Sequence, residues 1–467
     1  MSMYEWFAGS AARYPDAVAL EVDGERLTYA ELEDLAGRLA ATLGSARRVG
    51  LLAARSVTAY AGYLAVQRIG ATVVPLNPSF PPARNETVAR AADLDLILTD
   101  GEPGTEVAPV RTPDPDDVCY ILFTSGSTGT PKGVPIQHRN VDTYLQHVIG
   151  RYGIGVGDRL SQTFDLTFDL SVFDLFAAWG AGATLVVPSR ADLMAPTRFV
   201  VEQRITHWFS VPSIVSFAMR LRGLAPGSMP DLRWSLFCGE PLTEAQAAAW
   251  QAAAPGSVLE NLYGPTELTL SCSQFRYTGP LGSGESVPIG ELYPGVEAIV
   301  LDEAGLPAAT GELCVRGPQR FPGYLDPADN AGRFVRSDGV RADTADPEFF
   351  YRTGDRVRWS DHGLVHLGRL DHQVKVRGYR VELGEVEAAL RAVPGVRDAV
   401  VVAVPGRRGE TNLAAACTGE PGDALTALRA RLPEYMVPET LTVLDTLPLN
   451  ANGKIDRRAL GALVGKN

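Results

Sequence analysis

Residues 122–134 read LFTSGSTGTPKGV, in which a strand-like apolar run gives way to Thr124, Ser125, Ser127 and Thr128, interleaved with glycines and closed by Lys132. Such a loop presents backbone N–H groups and hydroxyls to an anion, its glycines let the backbone come close, and its lysine adds a compact positive charge. Phosphate suits that set; a Ser- and Gly-rich surface turn is the alternative on composition alone. A Walker loop needs glycine directly before Lys-Ser/Thr, whereas here Pro131 precedes Lys132 and Gly133 follows it. A second candidate is FDLTFDLSVFD at 164–174, where Asp165, Asp169 and Asp174 stand among aromatic and aliphatic side chains. Buried carboxylates require partners, and spacing does not choose which of the three would meet a ligand.

Holding these groups requires a scaffold, and its pattern is legible. Apolar runs at 49–54 (VGLLAA), 71–77 (ATVVPLN), 119–125 (CYILFTS) and 183–189 (ATLVVPS) read as strands. Stretches such as ELEDLAGRLAATLG at 31–44, with Leu32, Leu35, Leu39 and Leu43 at helical spacing, lie between them. This alternation predicts α/β layers with largely parallel sheets. From about residue 281 the texture changes to short strands with Gly and Pro turns, a β-rich subdomain reaching to about 370. Beyond a charged stretch at 368–380, a helix (GEVEAALRAV), a strand (DAVVVAVP, 398–405) and a further helix (ALTALRARL) predict a separate small domain, with the boundary at Asp371.

At 467 residues the chain exceeds what one hydrophobic core usually serves. It is 45% hydrophobic and 21% charged, which is ordinary globular composition. The net charge of −12 and the absence of any basic block argue against nucleic acid as a partner. Five scattered cysteines without a C-x-x-C pair suggest neither zinc nor a disulfide framework, and the six histidines form no metal-like cluster. No basic leader and no run of about 18 apolar residues is present; the expectation is a cytoplasmic protein without a membrane partner.

TSGSTGTPKG resembles the signature loop of the adenylate-forming enzymes, which include the amino-acid adenylation domains of peptide synthetases, acyl- and aryl-CoA ligases, and luciferases. The resemblance continues in the family's order through LTYAEL (27–32), TFDLSVFD (167–174), NLYGPTE (261–267), GELCVRG (311–317), YRTGD (351–355), GRLDHQVKVRGYRVELGEVE (368–387), LPEYMVP (432–438) and NGKIDR (452–457). It implies a large domain, 1–370, of two mainly parallel sheets with helices plus a β-barrel subdomain, and a small mobile α+β domain, 371–467, hinged at Asp371.

The resemblance also implies roles. Thr124, Ser125, Ser127, Thr128 and Lys132 would handle the β- and γ-phosphates of ATP, and Glu267 would help hold Mg²⁺. Tyr263 would be the adenine platform and Asn261 its hydrogen-bond partner; Thr266 and Arg369 would be further nucleotide contacts, and Asp355 would take the ribose hydroxyls. Lys454 would reach the reacting carboxylate as an electrostatic stabiliser, and rotation at Asp371 would exchange it for residues 377–387 in a second half-reaction.

Among the three carboxylates the family motif selects Asp169, which in amino-acid-activating members pairs with the substrate ammonium, with Phe168 as the aromatic beside it. The matching side-chain pocket reads Leu170, Phe173, Phe209, Leu236, Cys238, Leu262, Leu270 and Ser271. Its apolarity implies a small or medium neutral α-amino acid. LFCGEPL (236–242) with FDLSVFD is particularly similar to D-alanine:carrier-protein ligases, from which Phe209 and Leu262 depart toward bulk. Little chain follows Lys454, so the expectation is a free-standing ligase that loads a separate phosphopantetheinylated carrier protein, with a small MbtH-like accessory protein compatible with the family. The competing readings are an acyl- or aryl-CoA ligase, D-alanine:carrier-protein ligase proper, and a catalytically silent binding protein.

Overall fold

A computed structural model describes residues 1–100, 103–126, 131–282, 286–371, 373–406, 411–448 and 455–464. The chain forms two compact units, one of Met1–Asn77, Ala92–Leu122 and Gly133–Leu370, the other of Pro78–Ala91, Phe123–Lys132 and Asp371–Asn467.

In the first unit the apolar runs become two sheets. One orders Leu96–Thr99, Arg48–Leu52, Thr72–Leu76, Val118–Thr124 and Lys132–Gln137, its first four strands parallel. The other is nine-stranded, with a parallel centre running through Val258–Tyr263, Trp234–Phe237, His207–Ser210, Arg159–Ser161, Thr184–Val186 and Val18–Val22. Strands buried on both faces need continuous apolar runs, and Thr72–Leu76 and Val118–Thr124 carry them. The helix Leu170–Gly180 is buried at all of its positions, as its lack of any polar face requires. The helix expected at 31–44 spans Tyr29–Leu43, and the LTYAEL motif explains its start. Thr28 Oγ1 accepts from the Glu31 amide at 3.2 Å while the Glu31 carboxylate accepts from the Thr28 amide at 2.8 Å, a reciprocal cap.

A third, antiparallel sheet is built on the long strand Phe350–Ser360, which pairs with Thr310–Arg316, Phe334–Val335 and Gly363–Arg369. Its pairing with Gly363–Arg369 contains a bulge: Val357 faces His366 while Arg356 already faces Gly368. Residues three apart on a regular strand point to opposite faces, and an inserted residue brings them to the same one.

The second unit has a hairpin, Gln373–Val376 with Tyr379–Glu382, followed by the helix Leu383–Arg391. Its three-stranded sheet orders Val396–Pro405, Thr411–Gly419 and Thr440–Val443. The LPEYMVP and RGYR motifs meet here: Tyr435 stacks on Tyr379 with centroids 3.9 Å apart and lies edge-on to Phe80 at 6.0 Å. Arg457, from NGKIDR, donates to Glu387 Oε1 and to the Val401 carbonyl, both at 2.6 Å.

Thr28→Ala removes the reciprocal cap and is expected to destabilise the first unit by about 1 kcal/mol. The check is its thermal midpoint, which an irrelevant cap would leave unchanged.

Candidate active site

Of the three acidic residues in FDLTFDLSVFD, the structure gives two local work. Asp165 Oδ1 accepts from the Thr167 amide at 2.9 Å, and its Oδ2 accepts from Asn77 Nδ2 at 2.8 Å. Asp174 is wholly buried and accepts from the Thr163 amide at 3.1 Å; burial pushes its carboxyl well above the usual range. Asp169 is buried at the start of Leu170–Gly180 without capping that helix. Its charge is felt at the buried hydroxyls of Tyr120 and Tyr144.

The residues expected to line the pocket are deeply buried, and Leu170, Phe173, Phe209, Leu236, Cys238, Leu262 and Leu270 belong to one apolar cluster. Leu170, Phe173, Phe209, Leu236, Cys238, Leu262, Leu270 and Ser271 are all at most 2% exposed. Strand register explains part of this: Phe209 pairs with Leu236, and with Cys238 and Leu262 they take one alternation of adjacent parallel strands, whereas Asn261 takes the other. Phe209 sits edge-on to Phe173 and Phe164 at 4.9 Å each, and Phe168 stacks on Phe164 at 5.7 Å. Gly239 holds φ +90°, where an added Cβ would lie 3.9 Å from Phe168 and 3.7 Å from Leu170. Polarity that the sequence left unseen enters from elsewhere: Ser271 Oγ lies 2.8 Å from the Tyr293 hydroxyl and 3.4 Å from that of Tyr144.

The YGPTE motif closes the strand Val258–Tyr263 into a tight turn. A Cβ on Gly264 would sit 2.5 Å from Ser271 Cα, and Thr269 and Leu270 both carry positive φ. The turn therefore packs its backbone directly against Leu270 and Ser271, which leaves no room for a side chain at position 264. Thr266 is half-buried at the head of the short 3₁₀ turn Thr266–Leu268. Glu267, fully buried beside it, accepts a hydrogen bond from the Tyr324 hydroxyl at 2.6 Å, and Tyr324 in turn meets the Tyr351 hydroxyl at 3.1 Å. Asn261 donates through Nδ2 to the carbonyls of Val287 and Pro288, at 3.1 and 2.9 Å. Its Oδ1 is buried with no hydrogen-bond partner among the described residues, an acceptor aimed at something else.

Asp355 is the electrostatic centre of this region. It accepts from the Tyr263 hydroxyl at 2.6 Å, from His366 Nε2 at 3.1 Å and from Arg369 Nη1 at 3.0 Å. Burial pushes its carboxyl up, yet the Arg369 guanidinium and the His366 contact outweigh burial and hold it far below the usual carboxylate range. Arg369 and His366 reach one carboxylate because of the bulge between them. Burial raises the Tyr263 hydroxyl well above its ordinary range, keeping it a donor.

The phosphate-type loop belongs to the second unit. Thr124 ends its strand, and Lys132 is buried at the start of the next. Ser125 Oγ donates to the Arg380 carbonyl at 2.7 Å and accepts from the Glu382 amide at 2.9 Å. The Gly126 amide donates to Glu385 Oε2 at 3.3 Å, and Arg84 pairs with Glu385 Oε1. Asp371 is exposed and accepts from the Gln373 amide at 3.2 Å. Ser127, Thr128 and Lys454 lie outside the described residues.

With this geometry established, comparison with known proteins decides the family. Residues 7–111 and 101–325 match the model of the AMP-binding enzyme, and residues 385–454 that of the AMP-binding enzyme C-terminal domain. The chain belongs to the AMP-binding enzyme family. It is 36% identical, over 97% of its length, to phosphinothricin tripeptide synthetase PhsC of Streptomyces viridochromogenes, and spans 44% of that relative. It is 33% identical to an L-proline--[L-prolyl-carrier protein] ligase of Pseudomonas fluorescens, with 99% of each chain covered. The Vibrio cholerae adenylation domain AlmE, solved in complex with glycyl-adenosine-5'-phosphate, superposes with a TM-score of 0.89 at 28% identity, covering 99% of this chain and 97% of its own. The adenylate-forming fold is thereby established. All five cysteines are buried free thiols. Among the described residues no helix is long and apolar enough to cross a membrane, and no group of three or more His, Cys, Asp or Glu is arranged to hold a metal ion.

Sequence reasoning missed His366, Tyr324, Tyr351, Tyr120, Tyr144 and Tyr293. His366 could have been suspected from its place three residues before Arg369, had the bulge been foreseen; no spacing links Tyr324 to Glu267.

Asp355→Asn is expected to cost about 2 kcal/mol of stability at neutral pH, because it removes the buried charge that the partly buried Arg369 guanidinium pairs with. A depressed carboxyl stabilises above its unfolded pKa of about 3.9 and loses that contribution as pH falls through its lower folded value. The gap between wild type and variant should therefore close in acid, as read by denaturant unfolding at several pH values; a constant gap would contradict the ionic role.

Proposed function

We propose that this chain activates a small or medium neutral α-amino acid with ATP and passes it to the phosphopantetheine thiol of a separate carrier protein. The observation that carries this reading is Asp169, a buried carboxylate in an apolar pocket whose two acidic neighbours are committed to structure. A buried acid of this kind suits an α-ammonium, a group that a carboxylic acid without the ammonium does not offer. The relatives named above, one a carrier-protein ligase and one solved with a glycyl adenylate, support the same chemistry.

In the first step a carboxylate oxygen of the amino acid attacks the α-phosphorus. The bond to the bridging oxygen breaks and pyrophosphate leaves with its electron pair. In the second, the carrier thiol attacks the carbonyl carbon, losing its proton as the carbon–oxygen bond to AMP breaks. Asn261 Oδ1 suits the exocyclic amino group of adenine, because that buried acceptor has no hydrogen-bond partner among the described residues. Tyr263 offers a ring for the base. Among the described residues Asp355 accepts three hydrogen bonds, and a carboxylate has room for roughly four, so a ribose hydroxyl suits it. Arg369 keeps it ionised, and Thr266 adds a contact. Thr124, Ser125, Ser127, Thr128 and Lys132 take the phosphates, and Lys454 stabilises the negative charge that develops at the reacting carboxylate.

Glu267 fits a Mg²⁺ ligand, since this ion is usually bound by one or two carboxylates with phosphates and water completing the sphere, and Glu267 is a buried carboxylate that accepts from the Tyr324 hydroxyl. The ion would neutralise phosphate charge there. Phe168, Leu170, Phe173, Phe209, Leu236, Cys238, Leu262, Leu270 and Ser271 shape the side-chain pocket, and a charged substrate side chain would find no counter-charge among them. Asp371, at the junction of the two units, serves as the hinge between half-reactions.

Amino-acid-dependent exchange of pyrophosphate into ATP tests the reading. Asp169→Ala should cut exchange by roughly 100-fold or more, equivalent to the 3–5 kcal/mol of a broken buried ion pair. Near-normal exchange would remove Asp169 from the ammonium role. Lys454→Ala should depress adenylation far more than transfer from a preformed adenylate; equal losses in the two steps would contradict the division of labour.

A further inference from the structure

The second unit contains an ion pair that neither the sequence motifs nor the site above account for. Arg84, on the helix Pro82–Ala91, is 9% exposed and pairs with Glu385, which is 2% exposed. The other oxygen of Glu385 accepts the Gly126 amide at 3.3 Å. One carboxylate thus bridges a buried guanidinium and a backbone N–H of the loop whose composition suits phosphate. The same stretch also engages the neighbouring serine, since Ser125 Oγ donates to the Arg380 carbonyl and accepts from the Glu382 amide.

A guanidinium and a loop amide converging on one anion form a site for a planar or tetrahedral oxyanion, and arginine is the residue suited to holding two oxygens of a phosphoryl group at once. Burying Arg84 only for Glu385 is a poor bargain in stability, because desolvating both ions offsets much of their attraction. Such an arrangement makes more sense if the cation has a second anionic partner at another stage of the reaction.

We propose that Arg84 is a phosphate-binding residue of the activation step, and that Glu385 is an internal carboxylate that takes the phosphate's place between Arg84 and the Gly126 amide once pyrophosphate has gone. This rests on the activation reading above and adds to it a residue and a rule. The loop cannot offer Gly126 to a phosphate and to Glu385 together, so the docked RGYRVELGE segment and a bound triphosphate exclude one another. Product release and docking of the segment become one exchange of anions on the same donors.

The test uses the full chain and calorimetric titration with magnesium pyrophosphate and magnesium ATP, with no amino acid present. Arg84→Met alone would leave Glu385 buried without its cation, so the informative comparison is Glu385→Gln against the double variant Arg84→Met/Glu385→Gln. Glu385→Gln should bind pyrophosphate at least as tightly as the wild type, having lost its internal competitor, while slowing transfer from a preformed adenylate. The double variant should bind pyrophosphate roughly tenfold to hundredfold more weakly than Glu385→Gln, the range for a lost charge-assisted contact. Equal pyrophosphate affinity in the two variants would overturn the proposal and leave Arg84 as a docking partner of Glu385 only. Exchange that stays silent with every amino acid would refute amino-acid activation without touching this difference in phosphate affinity.

Discussion

A negative charge taken out of water must be matched or neutralised, and the placement of acidic side chains in this protein follows from that constraint. Asp355 is matched by Arg369 and His366 and stays ionised. Asp174 accepts from backbone donors among the described residues, and burial pushes its carboxyl up. Glu260, fully buried, lies between Arg151 at 2.7 Å and Arg276 at 3.1 Å. For Glu385 burial outweighs Arg84 and the Gly126 amide, and its carboxyl is raised. Asp169, in this account, meets its countercharge in the substrate. Under the proposed function, specificity for a zwitterion and the order of the half-reactions would follow from where carboxylates are buried and what meets them.

The division of labour within the site follows the fold. The parallel strands deliver Asn261, Tyr263 and Glu267 at the carboxyl end of one strand, the position where open α/β sheets hold their ligands. The antiparallel sheet contributes Asp355 and Arg369 across one register step, with the bulge adding His366. The groups proposed to hold the nucleoside thus sit on strands of the first unit. The loop meant for the phosphates makes its described contacts with the segment after Asp371, which suits groups that must change partner during turnover.

Much of the fold was legible in the sequence because it depends on local pattern. The strands at 49–54, 71–77 and 119–125 are continuous apolar runs, and the helix at 31–44 has leucines at helical spacing and a reciprocal cap at its head. The motif residues Tyr263 and Asp355, 92 positions apart, were expected to serve one ligand and are in contact. The partners that fix them were not legible. Tyr324 stands 57 residues from Glu267, and Arg84 stands 301 from Glu385, separations at which no periodicity operates. Spacing also left Asp165, Asp169 and Asp174 equivalent; backbone amides that only the folded chain supplies distinguish them.

The most direct measurement is a crystal structure of the protein with a non-hydrolysable aminoacyl-adenylate analogue of a small neutral amino acid. The account predicts the ammonium against Asp169, the adenine amino group on Asn261 Oδ1 and a ribose hydroxyl on Asp355. An analogue bound elsewhere, or bound with its ammonium away from Asp169, would contradict it.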